Sequence, residues 1–517
     1  MSGASPRGAP TIPPMPDTHS ADEPRPDDHP AERARRLADL DALRARGVDP
    51  YPVRFDRDRT LAELRDEFGG LAPDTRTDTV VRVAGRVMLL RRQGKLTFAT
   101  VRDQSGTVQL FVSRDELGDA EHAAFNQLDR GDWVGVEGTV MATRKGELSV
   151  NVSAFELLAK ALLPLPDKWH GLSDVDTRFR QRYVDLVVNE DARRVFRIRF
   201  AAVAALRNAL AARGFVEVET PVLHHELGGA TARPFVTHHH ALDIDLYLRI
   251  ALELHLKRLV VGGFERVFEI GRVFRNEGID TTHTPEFTML EAYQAFGDYH
   301  EMMELTEHLV VGAARAALDG GTVVEVRGVE VDLAEPWPRA TMVDLVRDHV
   351  GVDIRPSMGV PEARAVLDGL GMSYRDEWGA GRLTHEVYDQ LVEPKILRPT
   401  FVLDHPRETS PLARAHRDDP TLVERFEVVA NGSELANAYS ELNDPVDQRR
   451  RFEAEARARA AGDLEAGTVD EDYLRALEYG LPPTGGMGLG IDRLVMLLAG
   501  VTSIREVILF PTLRPEA

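Results

Sequence analysis

The chain has 517 residues, which is too long for one hydrophobic core, so two or more domains are expected. Its formal net charge of −21 argues against a protein that coats nucleic acid regardless of sequence, although a local basic face is compatible with this total. The chain has 0 cysteines, which excludes disulfides, thiolate metal sites and cysteine nucleophiles, and it lacks the long apolar run that a membrane-spanning helix needs.

The N-terminal part divides into a tail and a helical segment. Residues 1–30 contain eight prolines and few large apolar side chains, a composition that predicts a disordered tail. The tail lacks the apolar core of a signal peptide, so we expect a cytoplasmic protein. Residues 31–76 are predicted to be helical, with one helix over 31–46, where leucines recur at helical spacing, and a second over 61–68.

Residues 77–163 are predicted to form a small β-barrel. Five short β-rich runs are separated by turns that contain glycine or serine. A helical insert lies between the third and fourth runs, a pattern that favours a closed barrel of the OB type. Acidic and basic residues balance here, 11 against 11, and Arg91, Arg92 and Lys95 cluster beside Phe98. This segment is therefore the least acidic large block of the chain.

A larger α/β region follows the barrel. Residues 164–190 are predicted to be a linker with a polar turn, and residues 191–517 a second domain. This domain begins with a helix over 195–213 that ends at Gly214. The next run, GFVEVETPVL, is predicted to be a strand that stops at Pro221.

Residues 266–296 are predicted to form two strands joined by a long polar loop over 278–285. Because side chains alternate along a strand, two charged residues share a face of the first strand and four residues share a face of the second. These are Arg275 and Glu277, and Phe287, Met289, Glu291 and Tyr293. Such a face is poor core material, since unpaired buried charges cost several kcal/mol. A salt-bridged sheet surface and a ligand platform both fit this pattern.

The segment GSELANAYSELNDP, residues 432–445, offers two carboxylates that could converge. Asn437, Tyr439 and Glu441 alternate as in a strand. Glu434 is three residues from Asn437, so a regular strand would turn it to the opposite face. Either a bulge intervenes or the segment is helical. Two converging carboxylates favour Mg²⁺ held together with substrate phosphates, and a solvated acidic edge is the alternative.

The glycine-rich run GGMGLGIDR, residues 485–493, precedes an apolar stretch. Its glycines permit close approach of the backbone to a ligand, and Arg493 is predicted to open a helix, where its guanidinium could stack on a base or pair with a phosphate. His238, His239 and His240 cannot all face one metal from a strand, so we expect an exposed run.

Taken in order, these segments resemble the class II aminoacyl-tRNA synthetases, and specifically the bacterial-type class II lysyl-tRNA synthetases. The likeness extends from about residue 31 to residue 513. The three class II signatures appear as GFVEVETP at 214–221, as FRNE at 274–277 through Phe287, and as GLGIDR at 488–493. The runs GGATARPF and ELANAYSELNDP are similar to the lysine enzyme rather than its aspartate or asparagine relatives.

The resemblance implies an α+β fold. Its parts are an N-terminal five-stranded OB-type barrel that binds the anticodon and a class II catalytic domain with an antiparallel sheet flanked by helices. It also implies ATP-dependent activation of L-lysine and transfer of the lysyl group to tRNA(Lys), with Mg²⁺ as cofactor and a homodimer as the assembly. No membrane partner is expected.

The resemblance further implies residue roles. Arg275 and Arg493 are the expected catalytic residues. The residues expected to bind ATP are Arg275, Glu277, His283, Phe287, Glu434 and Arg493. The residues expected to bind lysine are Gly229, Glu253, Arg275, Glu291, Tyr293, Asn437, Tyr439 and Glu441. Glu434 and Glu441 are the expected metal ligands. The residues expected to meet the anticodon are Arg91, Phe98, Gln109 and Glu147.

Three other functions are alternatives to a lysine–tRNA ligase. A synthetase-derived RNA-binding protein without catalysis is disfavoured because Arg275, Arg493 and the acidic residues are all present. A paralogue that lysylates a protein or lipid is disfavoured because the barrel is intact. An aspartate or asparagine enzyme needs cationic groups at the side-chain end of its pocket, and this chain offers glutamates there.

Overall fold

The computed structural model describes residues 29–166, 172, 174–226, 228–230, 232–460 and 467–515. The chain folds as two compact units that meet in sequence at residues 171 and 172. The predicted tail over residues 1–30 lies outside the described residues except for its last two.

The first unit begins with two helices, α1 (Pro30–Ala45) and α2 (Leu61–Phe68). Both confirm the sequence predictions. A capping box at Thr60 and Glu63 starts α2, because each side chain accepts a hydrogen bond from the backbone N–H of the other residue. Leu61 and Leu64 of α2 are buried in the core of the barrel.

The barrel closes in the strand order β1-β2-β3-β5-β4 and confirms the predicted OB-type fold. Alternate valines and leucines of every strand point inward to one apolar core. The elements of the barrel are β1 (Arg76–Gln93), β2 (Leu96–Arg102), β3 (Thr107–Ser113), α3 (Arg114–Leu117), α4 (Asp119–Phe125), β4 (Trp133–Ala142) and β5 (Leu148–Ala159). The predicted helical insert corresponds to α3 and α4.

The second unit is built around an eight-stranded sheet. Its helices are α5 (Val175–Arg180), α6 (Arg182–Val188), α7 (Glu190–Ala212), α8 (Glu253–Val261), α9 (Tyr299–Ala317), α10 (Met342–Val350), α11 (Val360–Leu370), α12 (Ala380–Leu391), α13 (Pro445–Ala460), α14 (Glu471–Glu478), α15 (Ile491–Ala499) and α16 (Ile504–Val507). Its strands are β6 (Val216–Glu217), β7 (Leu223–His224), β8 (Val236–His239), β9 (Ile244–Leu248), β10 (Arg266–Phe274), β11 (Glu286–Ala295), β12 (Val323–Val326), β13 (Val329–Asp332), β14 (Arg339–Thr341), β15 (Thr400–Leu403), β16 (Arg425–Ala430), β17 (Ser433–Ser440) and β18 (Thr484–Gly490).

The large sheet has the order β14-β15-β16-β17-β18-β11-β10-β6. It is antiparallel except at its two ends, where β6 and β14 pair in parallel. Helices α7, α9 and α15 bury one face in the main apolar core, and Leu290 and Ala292 of β11 reach this core from the sheet. Because side chains alternate, Glu291 and Tyr293 point to the opposite face.

Three sequence predictions for this unit were wrong in detail. Helices α5 and α6 occupy the second half of the predicted linker, because Arg182 and Asp185 form a buried ion pair and Phe179 and Phe196 both lie against the Arg182 guanidinium. The predicted strand over 214–223 shrinks to the two residues of β6 plus the start of β7.

The third difference concerns the first strand of the predicted hairpin. Strand β10 ends at Phe274, so Arg275 and Glu277 lie in the loop and not on one strand face. The backbone N–H groups of Arg275 and Asn276 instead donate to Pro285 and Arg233. These contacts between distant segments are not visible in a local sequence pattern.

Candidate active site

A cavity of about 520 Å³ lies on the face of the large sheet that is not covered by the main core. Strands β11, β17 and β18, which are neighbours in the middle of the sheet, form its floor. All thirteen residues predicted to bind ATP or lysine line this single cavity. They are Gly229, Glu253, Arg275, Glu277, His283, Phe287, Glu291, Tyr293, Glu434, Asn437, Tyr439, Glu441 and Arg493.

The floor combines a polar strand face with a strand of glycines. Phe287, Glu291 and Tyr293 project from β11 into the cavity, as the alternation predicted. The adjacent strand β18 has no side chain at Gly486, where a Cβ atom would lie 2.0 Å from Glu441 Oε1 and 2.5 Å from the Tyr293 ring. The volume of the cavity therefore depends on glycine at this position.

Strand β17 contains a bulge, which is one of the two alternatives that the sequence left open for this segment. Val428 pairs with Ala436 and Val429 pairs with Glu434, so Leu435 is the extra residue. The bulge restores Glu434 to the cavity face that Asn437 and Tyr439 occupy. The strand interpretation of this segment is confirmed, and the helical one is wrong.

Three carboxylates gather at one end of the cavity. Glu253 Oε2 accepts a hydrogen bond of 2.6 Å from the Tyr439 hydroxyl. Glu291 accepts from the Leu252 N–H at 3.0 Å and from the Tyr293 hydroxyl at 2.9 Å. Burial and the nearby charge of Glu253 raise the pKa of Glu291 to about 7. This end of the cavity therefore favours cationic groups.

The third carboxylate, Glu441, pairs with a buried lysine. Lys257 Nζ contacts Glu441 Oε2 and lies 2.5 Å from Glu253 Oε1. Burial raises the pKa of Glu441 well above its ordinary value, and Lys257 opposes this shift. Within the described part of the chain, Glu441 Oε1 has no hydrogen-bond donor.

The opposite end of the cavity contains two arginines, with the Glu434 carboxylate 3.8 Å from Arg493. The Arg275 guanidinium lies 5.1 Å from the centre of the Phe287 ring, and its Nε donates to the Ile250 carbonyl at 3.4 Å. Arg493, on the first turn of α15, donates from Nη1 to the Glu434 carbonyl at 2.6 Å. Arginines at this end and carboxylates at the other give the cavity a charge gradient that suits a ligand with an anionic and a cationic part.

The loop between β10 and β11 closes one side of the cavity. His283 Nδ1 lies 2.9 Å from Asp280 Oδ2, and the Thr282 and His283 N–H groups donate to the other oxygen of Asp280. Although burial opposes it, these hydrogen bonds lower the pKa of Asp280 to about 2. Glu277 is exposed on the same loop. The charged Asp280 therefore orders a loop that presents His283.

Two further predicted residues are positioned by their neighbours. Arg425 donates from Nε to Asn437 Oδ1 at 3.0 Å, which leaves the amide NH₂ of Asn437 as the group that can donate to a ligand. Gly229 has a φ of +89°, and a Cβ atom there would lie 3.1 Å from the Ala251 Cβ. Glycine at this position therefore lets the backbone approach the cavity closely.

The structure does not bring Glu434 and Glu441 together. They are seven residues apart on extended chain, a separation of about 20 Å at roughly 3.3 Å per residue. Glu427 is the diagonal neighbour of Glu434 across β16 and β17, about 7–8 Å away. Burial and the charge of Glu427 raise the pKa of Glu434. Glu427 and Glu434 are therefore the pair whose mutual repulsion a cation could relieve.

Glu427 also belongs to a buried group with His385 and His405, whose potential ligand atoms lie within 4.8 Å of one another. Burial lowers the pKa of both histidines well below the ordinary value, so both imidazoles are neutral. Arg425, whose Nη2 donates to Glu427 at 2.6 Å, is the cation that compensates this carboxylate.

The residues expected to meet an anticodon lie on the barrel. Arg91 and Phe98 are directly opposite each other on β1 and β2, and Phe98 packs edge-on against Phe111 of β3 at 5.5 Å. Gln109 lies two residues from Phe111 on the same face and donates to Ser149 at 3.0 Å. Glu147 is exposed on the turn that precedes β5. Strands β1 to β3 thus carry an outer face with aromatic, basic and amide groups.

Four further residues contact the predicted site residues, although no sequence pattern singled them out. They are Lys257, Arg425, Glu427 and Phe111. Strand alternation could have identified Phe111, because Phe111 is two residues from Gln109 and the two side chains point to the same face of the strand. Arg425 and Glu427 are two residues apart on β16 and point to the same face, but no local sequence pattern predicts that this strand pairs with β17. Lys257 follows Glu253 by one helical turn, a spacing that is typical of an ion pair on the surface of a helix.

Comparisons with known proteins agree with this architecture. A family described as tRNA synthetases class II (D, K and N) matches residues 174–514, and an OB-fold nucleic acid binding domain matches residues 81–158. A lysine–tRNA ligase of Synechococcus sp. (strain CC9311) is 53% identical over 94% of this chain and 99% of its own length. One of Moorella thermoacetica is 52% identical over 93% of this chain and 98% of its own length. A lysine–tRNA ligase of Nostoc punctiforme is 51% identical over 94% of this chain and 88% of its own length.

Proposed function

The chain belongs to the lysine–tRNA ligases of the class II tRNA synthetases, and from that premise we propose how its cavity performs the reaction. The enzyme activates L-lysine with ATP to lysyl-adenylate and then transfers the lysyl group to the 3′ end of tRNA(Lys), releasing pyrophosphate and AMP. The observation that carries the assignment of the site is the charge gradient of the cavity, with carboxylates at one end and arginines at the other.

The carboxylate end is proposed to bind lysine. Lysine carries two ammonium groups and one carboxylate, and Glu253, Glu291 and Glu441 complement the two cations. Glu253 and the Gly229 backbone take the α-ammonium, and Glu291, Tyr293 and Glu441 take the ε-ammonium, with Tyr439 against the aliphatic chain. The free acceptor Glu441 Oε1 supports this orientation. A buried carboxylate left without an ammonium partner rejects uncharged amino acids, by about 10⁴-fold.

The arginine end is proposed to bind ATP and the reacting carboxylate. Phe287 and Arg493 enclose the adenine ring, Arg275 contacts the α-phosphate and the lysine carboxylate, and Glu277 and His283 approach the rest of the nucleotide. No protein nucleophile is required, because the lysine carboxylate attacks the α-phosphorus directly and pyrophosphate leaves. Alignment of the two substrates and neutralisation of the developing charge by the arginines account for catalysis.

A divalent cation, Mg²⁺, is proposed to be held by Glu434 together with Glu427, and not by Glu441. The fit rests on two carboxylates whose charges repel each other across adjacent strands and on the hard oxygen ligands that Mg²⁺ prefers. When bound, the ion neutralises phosphate charge on the departing pyrophosphate. Arg425 orients Glu427, and Arg493 holds the backbone of Glu434.

The barrel is proposed to read the anticodon through the outer face of strands β1 to β3. Stacking of an unpaired base on Phe98 contributes about 1–3 kcal/mol, and Arg91, Gln109 and Glu147 offer hydrogen-bonding groups to base edges. The edge-on contact of Phe98 with Phe111 supports this role because it holds the ring in one orientation.

A homodimer is proposed as the assembly, and the cytoplasm as the place of action. Large apolar side chains are exposed on the catalytic unit near the first class II signature. Phe200 is 58% exposed, Val236 59% and Leu242 64%. We propose that these exposed apolar side chains form part of the contact between the two copies of the chain. Among the described residues, no helix is long and apolar enough to cross a membrane.

The decisive experiment is ATP–pyrophosphate exchange with each of the twenty amino acids, followed by charging of total tRNA. Exchange with lysine alone and lysyl transfer to tRNA are expected. Exchange without transfer would indicate another acceptor. No exchange with any amino acid would contradict the assignment of the cavity and leave RNA binding as the better account.

A further inference from the structure

Lys257 is a fully buried cation in contact with two of the carboxylates that are proposed to bind lysine. Its side chain is 0% exposed, and its ammonium lies between Glu253, one helical turn earlier on α8, and Glu441, which follows β17. The Tyr439 ring centre lies 5.6 Å from Nζ. Burying an ammonium costs several kcal/mol unless it is paired, so this cation is held by its two carboxylates.

When the three carboxyl groups at this end of the cavity are ionised, a dicationic ligand balances the charges around Lys257. The cavity end contains three carboxylates, Glu253, Glu291 and Glu441, against one resident ammonium. Free lysine supplies two more ammonium groups, and its own carboxylate is matched by Arg275 at the other end. Three carboxylates then face three ammonium groups.

Lys257 also leaves the ligand side of each carboxylate open. It contacts Glu441 through Oε2 and Glu253 through Oε1. Glu441 Oε1 is left without a donor within the described residues, and Glu253 Oε2 accepts a hydrogen bond from the Tyr439 hydroxyl. A resident cation that approaches from the protein side thus pairs with these groups without blocking their ligand side.

We infer that Lys257 is a positioning residue for lysine recognition, a resident ammonium that pairs with Glu253 and Glu441 from the protein side and holds them turned toward the substrate, so that the pocket accepts a dicationic amino acid. This inference rests on the proposed function and deepens it. Burial alone disfavours charge on Lys257, but Glu253 and Glu441 raise its pKa well above the ordinary value, so it stays charged across the working pH range.

The pH dependence of lysine binding reports this role. The titratable groups that face Lys257 or Glu441 from the surrounding elements are Glu253, Glu291, Tyr293, Tyr439 and Tyr473. The tyrosines titrate far above neutrality. Loss of the ammonium removes the group that lowers the pKa of Glu441, so that carboxyl keeps its proton to higher pH. A protonated carboxyl cannot pair with an ammonium.

The test measures ATP–pyrophosphate exchange from pH 6.5 to 9 for the unaltered chain, Lys257→Met and Lys257→Arg. In Lys257→Met, the KM for lysine is expected to rise at least about tenfold at pH 7. The pH above which the lysine KM no longer changes is expected to move up by about one unit or more, since one pKa unit is a tenfold change in ionisation. The KM for ATP changes less than about twofold. Lys257→Arg retains the profile of the unaltered chain.

Lys160→Met is the matched control. Lys160 is also buried and also contacts two carboxylates, Asp129 and Asp132, but it lies in the barrel unit. Its loss lowers stability and leaves the pH profile of the lysine KM in place.

If Lys257→Met does not fold, Glu253→Gln is compared with the double variant Lys257→Met/Glu253→Gln, which loses the ammonium together with one of its carboxylates. The shift of the lysine-KM profile to higher pH is expected in the double variant and not in Glu253→Gln. An unchanged profile in either comparison, or equal loss of lysine and ATP affinity, overturns the inference. No lysine exchange by the unaltered chain would instead overturn the proposed function itself.

Discussion

Glu291 is the buried carboxylate that we propose selects the substrate by pairing with the ε-ammonium of lysine. It accepts hydrogen bonds from Leu252 N–H and the Tyr293 hydroxyl, yet burial and Glu253 still raise its pKa to about 7. The free cavity therefore holds this group close to its point of ionisation. An arriving ammonium favours the ionised form, so lysine binding and deprotonation of Glu291 are coupled.

Glu291→Gln is expected to raise the KM for lysine by about 10²-fold or more, because a neutral amide cannot pair with the ε-ammonium. The KM for ATP stays within about threefold, since Phe287, Arg275 and Arg493 lie at the other end of the cavity. In the unaltered chain the lysine KM falls as the pH rises through about 7, where Glu291 becomes ionised. ATP–pyrophosphate exchange as a function of pH measures both effects.

Glu269→Gln provides the control for this substitution. Glu269 lies directly opposite Glu291 on β10 and is also buried, but it pairs with Arg249 and does not line the cavity. Its loss lowers stability without a specific change in lysine KM. Undiminished lysine activation by Glu291→Gln would contradict the assigned role.

At the scale of the element, β18 contributes space rather than contacts. Gly486→Ala is expected to lower lysine-dependent exchange by about 10²-fold, because the new methyl collides with Glu441 and the Tyr293 ring. Nucleotide binding, followed by equilibrium dialysis with ATP, is expected to persist.

Gly369→Ala on α11 is the matched glycine variant, because a Cβ atom there meets nothing within 4 Å. It leaves exchange unchanged and raises stability slightly, as alanine favours a helix over glycine by about 1 kcal/mol. Equal behaviour of the two variants would show that the floor of the cavity tolerates a side chain and would refute the steric argument.

The barrel strands present a separate element-scale test. Phe98→Ala is expected to raise the KM for tRNA by about 10-fold to 100-fold, the equivalent of one lost base stack. Amino acid activation without tRNA is unchanged. Phe98→Tyr keeps the ring and its contact with Phe111, so it retains charging; a weak effect of Phe98→Ala on charging would remove Phe98 from the proposed RNA face.

At the scale of the whole molecule, the exposed apolar side chains near the first class II signature predict association. Sedimentation of the unaltered chain is expected to give twice the chain mass of 57.4 kDa. Val236→Glu introduces a charge into this surface and shifts the equilibrium toward the monomer.

Val329→Glu is the comparison variant, since Val329 is also partly exposed, at 42%, but lies on the separate β12–β13 hairpin. It is expected to sediment like the unaltered chain. A monomer in the unaltered chain at micromolar concentration would contradict the proposed dimer.

Local patterns predicted the elements that satisfy their own hydrogen bonds and bury one regular face. Helices α1 and α2, the five barrel strands and the strands β10 and β11 follow from periodicity, because each buries alternate or helically spaced residues. The linker prediction was wrong because the Arg182–Asp185 pair is stabilised by aromatic rings on α5 and α7. A contact of that kind has no period in the sequence.

The sequence by itself determined the family, the barrel and the residue types of the cavity, since ordered motifs and strand alternation are local properties of the chain. Only the tertiary structure decided which side chains meet. The bulge at Leu435 turned Glu434 toward the cavity, and the register of β16 against β17 placed Glu427 beside it and left Glu441 about 20 Å away. Lys257 meets two carboxylates of the cavity, Glu253 and Glu441, because α8 packs on β11. Pairing register and helix packing depend on contacts between distant segments, which sequence spacing does not encode.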